Sequence, residues 1–274
     1  FINNLLDCIR KEMSPEIFLH KNLAHIPNLY KKDTDYLFDG DDLINSNVDL
    51  LISFGGDGTL LDTVTMIKDS NIPILGINAG RLGFLANITQ EDIVSAVRVL
   101  KDKKYRLDQR TLVEVDNYNE LSGVQCNFAL NEITVHKKDS SSMLSIQTYV
   151  DNEFLNTYWS DGLIVSTPTG STAYSLSCGG PIISPGSDNL IINPISPHNL
   201  NLRPVVVSDN VVIKLETQSR EGQFLLTMDS RSITVENNVP IILKKSNFTI
   251  SLVELPDQNF FKTIRNKLFW GWLL

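Results

Sequence analysis

Phe1, Ile2, Leu5, Leu6 and Ile9 recur at the spacing of one helix face, which predicts an opening helix. Because the chain starts inside that pattern, without a Met, a first strand is expected upstream of it. Val48 to Phe54 is a nearly unbroken apolar run, the pattern of a parallel strand covered on both faces. Gly55-Gly56-Asp57-Gly58-Thr59 interrupts it, Leu60, Leu61, Val64 and Ile67 resume at helical spacing, and Ile74 to Ile77 after Pro73 reads as the next buried strand. This predicts a β-α-β unit with the usual right-handed crossover. A further helix is predicted from Gln90 to Leu100, with Thr89 as N-cap and Ile93, Val94, Val97 and Leu100 inward.

Beyond Lys104 the apolar period changes from 3.6 to 2. Predicted strands are Thr111–Val115, Ala129–His136, Leu144–Val150, Leu163–Ser166, Val205–Val207, Val211–Glu216, Phe224–Met228, Ser232–Val235, Pro240–Lys244 and Thr249–Val253, with Asn237-Asn238 as a turn between two of them. Phe260–Trp270 looks helical again. The expected fold class is an α/β N-terminal domain with a Rossmann-like parallel sheet over residues 1–103, followed by a β-rich C-terminal domain over residues 104–255. Residues 256–274 are expected to pack back on the first domain.

Composition narrows the function classes. At 274 residues with 42% hydrophobic and 20% charged positions, the chain has enough apolar surface for a folded enzyme. A net charge of -8 argues against a general nucleic-acid surface, so bound phosphates have to be met locally by backbone N–H groups, a metal or a few basic side chains. Cys8, Cys126 and Cys178 are odd in number and widely spaced, with no zinc-ligand pattern, and read as free thiols in a reducing cytoplasm. No apolar run approaches the roughly 20 residues needed to span a bilayer. The apolar tail Leu268–Leu274 is expected to pack against a body or a partner subunit rather than a membrane.

Three places look like chemistry. The Gly55, Gly56 and Gly58 turn follows a buried parallel strand, where open α/β folds place ligands, and implies close backbone approach, positive φ angles, or both. The N–H groups of this turn and of the helix opening at Thr59 suit an anion. Asp57 sits awkwardly there, because a carboxylate repels phosphate unless a cation intervenes or it moves a proton; an ordinary turn with Asp57 as cap is the plainer alternative. Second, the run from Ser160-Asp161-Gly162 through Ser166–Ser177 to Gly179-Gly180-Pro181 is too rich in hydroxyls and glycines for a core. It suits a polar binding wall, with Ala173–Leu176 as a short helix. Third, Asn131-Glu132 interrupts an otherwise apolar strand, and a buried Asn-Glu pair needs partners that a ribose or base edge could supply. Neither a GxxxxGK[ST] loop nor a GxGxxG turn after a strand is present.

In order and spacing, GGDGT, Asn131-Glu132, the stretch SDGLIVSTPTGSTAYSLSCGGP and Pro197–Pro204 (PHNLNLRP) together resemble the NAD kinase family over nearly the whole chain. GGDGT alone is shared with diacylglycerol-type lipid kinases and phosphofructokinases; the STPTGSTAYSLS…GGP stretch is far more specific. The resemblance implies an NAD kinase/diacylglycerol kinase-like fold of two domains with NAD bound between them, in a cytoplasmic homodimer or homotetramer. It implies transfer of the terminal phosphoryl group of ATP to the 2′-hydroxyl of the adenosine ribose of NAD. Magnesium or another divalent cation would accompany ATP, without a dedicated protein metal site. Carried over by position, Asp57 would take the hydroxyl proton, and Gly55, Gly56, Gly58 and Thr59 would serve the phosphates. Phe84 would make an apolar contact to the dinucleotide. Asn131, Thr172, Ala173, Tyr174 and Ser177 would line the adenosine side, and Glu132 and Asp161 would reach the other ribose and the nicotinamide.

The chain departs from the family pattern in two places. Asp229-Ser230 stands where many members have Asp-Gly, so Asp229 receives no site role, and Trp159 replaces a small or basic residue before Ser160. His198 and Arg203 match a family motif but suit a turn. A lipid or sugar kinase sharing only GGDGT, or a non-catalytic dinucleotide sensor, are the competing readings; binding alone gives no reason for Asp57.

Overall fold

The computed structural model describes residues 2–29, 35–39, 43, 47–80, 83–123, 126–138 and 143–270. It separates into two compact units, Phe1–Gln109 with Ile250–Leu274, and Arg110–Thr249.

The first unit opens with α1 (Ile2–Glu12), which buries Leu5, Leu6 and Ile9. Strands β1 (Phe18–His20) and β2 (Tyr36–Phe38) pair in parallel as a separate two-stranded sheet. The expected β-α-β unit follows as β3 (Leu51–Gly55), α2 (Asp57–Ile67) and β4 (Ile74–Asn78), with β3 and β4 parallel from Leu51↔Ile74 to Gly55↔Asn78. α2 begins at Asp57, two residues before Thr59, and buries Leu60, Val64 and Ile67. Helix α3 (Ile93–Lys101) starts later than expected, with Asp92 rather than Thr89 at its N-cap. Thr89 instead closes the preceding turn, its Oγ1 donating to Asp92 Oδ2 at 2.7 Å. Val94, predicted inward, is exposed, and Ala96 takes its place in the core with Leu75, Ile77, Ile88, Val97 and Leu100.

The second unit is built from β5 (Arg106–Val115), β6 (Phe128–Ala129), β7 (Glu132–His136), β8 (Leu144–Val150), β9 (Glu153–Ser160), β10 (Gly162–Ser166), the short α4 (Tyr174–Ser177), β11 (Asn189–Ile195), β12 (Val205–Ser208), β13 (Ile213–Gln218), β14 (Gln223–Met228), β15 (Arg231–Glu236) and β16 (Ile241–Glu254). One antiparallel sheet runs β12-β11-β10-β7-β14-β15. Strands β9, β8, β13 and β16 form another antiparallel layer. A shared core of Val113, Ile133, Val135, Ile146, Leu163, Ile192, Leu215, Phe224 and Leu243 lies between inward faces that alternate as expected for half-buried strands. β5 starts in the first unit, and β16 ends there, with Leu252 beside Ile74. The period changes at 104 and 256 therefore sit at the outer ends of these two strands, and the division into units falls inside them. Helix α5 (Phe260–Leu268) closes the chain, capped by the Asn259 side chain accepting from the Lys262 N–H at 2.9 Å. The last four residues of the apolar tail lie outside the described residues.

Six strand assignments need correction. β1, β2, β9 and β11 were not expected: β1 and β2 are three residues each, β9 is punctuated by Asn156 and Thr157, and β11 by Asn193 and Pro194. Pro240–Lys244 and Thr249–Val253 are one 14-residue strand, in whose polar middle the half-buried Lys245 pairs with the buried Asp209 at 2.5 Å. Ala129–His136 is two strands, broken at Leu130-Asn131.

Candidate functional site

In the first unit the chain leaves β3 through Gly55 and Gly56 and enters α2 at Asp57. None of the three glycines has a positive φ. Gly55 is required because a Cβ there would overlap the Thr59 side chain, whereas Gly56 and Gly58 face open space and are exposed, as is Thr59. The turn thus offers backbone rather than side chain to whatever approaches it, at the positive end of an 11-residue helix.

Asp57 does not cap its own helix. Its carboxylate reaches the loop after β4, where Oδ2 accepts the Phe84 N–H at 2.8 Å and Oδ1 accepts those of Leu85 at 3.1 Å and Ala86 at 3.0 Å. The loop comes this close because residue 83 is glycine; a Cβ there would lie inside the carboxylate. Of the four lone-pair positions of an ionised carboxylate, these bonds occupy three and leave one, on Oδ2. The partly buried group is therefore held in one orientation and can still accept a proton. Phe84, whose N–H makes the first bond, is half-buried, with Lys267 Nζ of α5 5.8 Å from its ring centroid. Leu82 lies outside the described residues.

In the second unit, the Ser/Thr stretch divides into two sets. Ser166, Thr167, Ser171 and Ser175 are completely buried, and their polar atoms serve the fold. Thr167 Oγ1 donates to Leu130 O at 2.6 Å, Ser171 Oγ to Pro168 O at 2.6 Å, and Ser175 O accepts from Asn193 Nδ2 at 2.9 Å. The expectation of one polar wall is corrected to this extent. Thr172 and Ala173 are half-buried, and Tyr174 and Ser177 are exposed on α4, so the residues carried over from the family pattern are the ones left reachable. The Tyr174 N–H faces the Glu132 carboxyl, and its phenol bonds to the Cys178 thiol. Asp161 is ion-paired with Lys137 at 2.6 Å.

Asn131 and Glu132 lie at the break between β6 and β7, each about nine-tenths buried. The break exists because three successive N–H groups leave the sheet: Asp229 Oδ2 accepts from Leu130 at 2.8 Å, and Oδ1 from Asn131 at 2.8 Å and Glu132 at 3.2 Å. Asp229 sits between β14 and β15 with φ 52°, and its own N–H returns to Glu132 O at 3.0 Å. Glu132 is raised from 4.5 to about 8, first by burial and then by the Asp229 charge, against the Tyr174 N–H. Its Oε2 is buried with no hydrogen-bond partner among the described residues. Burial also pushes the Asp229 carboxyl and the Cys178 thiol upward. Sequence reading gave Asp229 no site role and did not foresee this contact, for which the available signal was an Asp in a tight turn opposite a polar interruption of an apolar strand. Arg203 occupies the turn role expected for it, donating to Leu200 O at 2.8 Å and Leu202 O at 2.7 Å.

Family comparison covers both units. Residues 8–105 match the ATP-NAD kinase N-terminal domain and residues 130–255 the ATP-NAD kinase C-terminal domain. The chain is 46% identical to the NAD kinase of Flavobacterium psychrophilum over 270 residues, covering 98% of this chain and 89% of the relative. It is 52% identical to that of Cytophaga hutchinsonii over 223 residues, covering 81% and 76%. Among solved structures, yeast NADH kinase complexed with NADH shares the fold at a TM-score of 0.84 and 24% identity, covering 98% of this chain and 84% of that one. An NAD kinase from Archaeoglobus fulgidus in complex with ATP matches at 0.72 and 27% identity, covering 86% and 89%.

Proposed function

The chain belongs to the NAD kinase family and is a phosphotransferase acting on NAD; from that premise we propose that Asp57 is the group that receives the proton of the adenosine 2′-hydroxyl as the terminal phosphoryl group of ATP is transferred to it. The observation that carries this reading is the Asp57 carboxylate, held by three backbone N–H groups beside an exposed glycine turn, with one lone pair left on Oδ2. In a loose phosphoryl-transfer transition state the hydroxyl becomes acidic only as its bond to phosphorus forms, so a weak base in a fixed position suffices. Gly55, Gly56, Gly58 and Thr59 serve the phosphates. Phe84 contacts the dinucleotide, Asn131, Thr172, Ala173, Tyr174 and Ser177 line its adenosine, and Glu132 and Asp161 reach the second ribose and the nicotinamide.

ATP is the donor, a reading supported by the ATP complex of the Archaeoglobus relative. Magnesium travels with it on the phosphates, where it would neutralise charge. Among the described residues no group of three or more His, Cys, Asp or Glu side chains is placed to hold a metal, and Asp57 has only one lone pair to offer. The assembly is a cytoplasmic homodimer or homotetramer, which light scattering would resolve. The central experiment incubates the protein with NAD or NADH and ATP, with and without magnesium, and measures NADP or NADPH. NADP formation that requires the metal supports the reading; full activity in excess chelator refutes the part assigned to magnesium.

A further inference from the structure

Two things about Asp229 stand apart from turn-making. Its carboxylate takes three successive N–H groups away from what would otherwise be a continuous strand, and the residues so displaced include Asn131 and Glu132. Both of its oxygens accept, which suits the ionised form, since a protonated carboxyl oxygen is a poor acceptor. Arg231 lies behind it, with Nη1 on Cys126 O at 2.8 Å and the guanidinium against the Phe128 ring at 5.9 Å. The hairpin of β14 and β15 is thereby anchored to the β6 side of the break, while β14 pairs with β7 on the other side. A regular strand would alternate Asn131 and Glu132 to opposite faces; the break, at a fixed local geometry, releases them from that rule.

We propose that Asp229 is a positioning residue for dinucleotide binding: by gathering the Leu130, Asn131 and Glu132 amides onto one carboxylate, it holds Asn131 and Glu132 where both can meet the ligand. This rests on the assignment of Asn131 and Glu132 to the NAD wall. The unpartnered Glu132 Oε2 is the second observation, a buried carboxyl oxygen that the fold leaves for something else to satisfy. The titratable and charged groups around Glu132 are Asp229 from the hairpin turn, Tyr174 from α4 and Cys178 at its C-cap, Asp161 acting on Tyr174, and Arg231 acting on Asp229. Asp229 therefore acts on Glu132 both through the backbone and through its charge.

The test compares Asp229→Asn with Asn131→Ala and Glu132→Gln in the full chain, following kcat and KM for NAD and ATP across pH. Asp229→Asn presents an NH₂ to the amides, so the KM for NAD should rise roughly 10- to 100-fold, more than kcat falls, with far less change for ATP. The wild-type KM for NAD should change as Glu132 titrates near pH 8. That change should move to lower pH in Asp229→Asn, where the neighbouring negative charge is gone, and vanish in Glu132→Gln. Loosening of the fold would move it the same way by hydrating Glu132, so the shift counts only where the Asp229→Asn protein keeps the wild-type melting temperature. A wild-type KM and pH profile in Asp229→Asn, beside a raised KM in the other two variants, would overturn the proposal alone. An unchanged KM in Asn131→Ala and Glu132→Gln would overturn the wall assignment and the proposal with it. Should Asp229→Asn not fold, hydrogen exchange on the unaltered protein decides. The Leu130–Glu132 amides should exchange at least ~100-fold more slowly than an unstructured segment even without NAD, and unprotected exchange would overturn the proposal.

Discussion

Asp57 and Asp229 make the same set of bonds in different units of the molecule. Each gives Oδ2 to the first and Oδ1 to the next two of three consecutive backbone N–H groups. Both aspartates are half-buried, but Asp57 stands at the first position of a helix beside exposed glycines, while Asp229 sits in a hairpin turn against the amides of buried residues with an arginine behind it. The bonds are alike and the surroundings are not. A carboxylate that solvent and substrate can reach is able to change protonation in a reaction, whereas one fixed among buried amides is suited to hold backbone. What the comparison teaches is that identical hydrogen-bond geometry does not by itself assign a role; the groups around each carboxylate have to be weighed with it.

The largest expected effect separates the two aspartates directly. Asp57→Asn should lower kcat roughly 10²–10⁴-fold while NAD affinity, measured by calorimetry on the same preparation, changes far less. This substitution is not silent in the fold. An Asn side chain must turn its NH₂ toward at least one of the three N–H donors, so a loss of about 1–3 kcal/mol of stability should accompany it. A kcat within about threefold of wild type, worth under roughly 1 kcal/mol, would leave Asp57 a purely structural counterpart of Asp229.

Gly83→Ala tests whether the orientation of Asp57 matters apart from its charge. The new Cβ must displace either the carboxylate or the 84–86 loop, so kcat should fall by about 10- to 100-fold with Asp57 still present. Normal turnover in a folded Gly83→Ala protein would show that the three amide bonds are dispensable for chemistry.

Asn131→Ala and Tyr174→Ala address the second unit. Adenosine contacts are much alike in ground and transition states, so KM for NAD should rise, by roughly tenfold, more than kcat falls. Normal NAD affinity with a loss confined to kcat would move the adenosine elsewhere.

The remaining effect is on stability rather than turnover and concerns pH. Glu132 is raised in the fold from 4.5 to about 8, so the folded chain binds more protons than the unfolded one between those values. Its contribution is fully present below pH 4.5 and is lost as pH rises through about 8. Glu132→Gln should therefore gain stability relative to wild type across that window, by no more than about 1.4 kcal/mol per pH unit. Parallel denaturation curves for the two proteins from pH 5 to 8.5 would contradict the buried state of Glu132.

Local patterns determined a good deal. The apolar runs and spacings of Val48–Ile77 suffice for β3, α2 and β4, because a parallel strand buried on both faces and an amphipathic helix each leave a periodic signature. The change of period at Lys104 marks the β-rich unit, and the hydroxyl-rich stretch with GGDGT identifies the family. Within that stretch the sequence does not distinguish Ser166, Thr167, Ser171 and Ser175, which face the core, from Tyr174 and Ser177, which face out. Residue type is the same on both sides, and only packing assigns the direction. β9 and β11 escaped notice because Asn156, Asn193 and Pro194 read as loop, although neighbouring strands supply their pairing. The two carboxylate clamps are likewise tertiary. Asp57 meets amides 27 to 29 residues away and Asp229 amides 97 to 99 residues away. Backbone N–H groups are carried by every residue except proline, so nothing in the sequence of Leu130–Glu132 or Phe84–Ala86 announces that a distant aspartate will hold them. Only the folded chain, by bringing a turn against a loop, decides which carboxylate they receive and whether it stays open to a substrate.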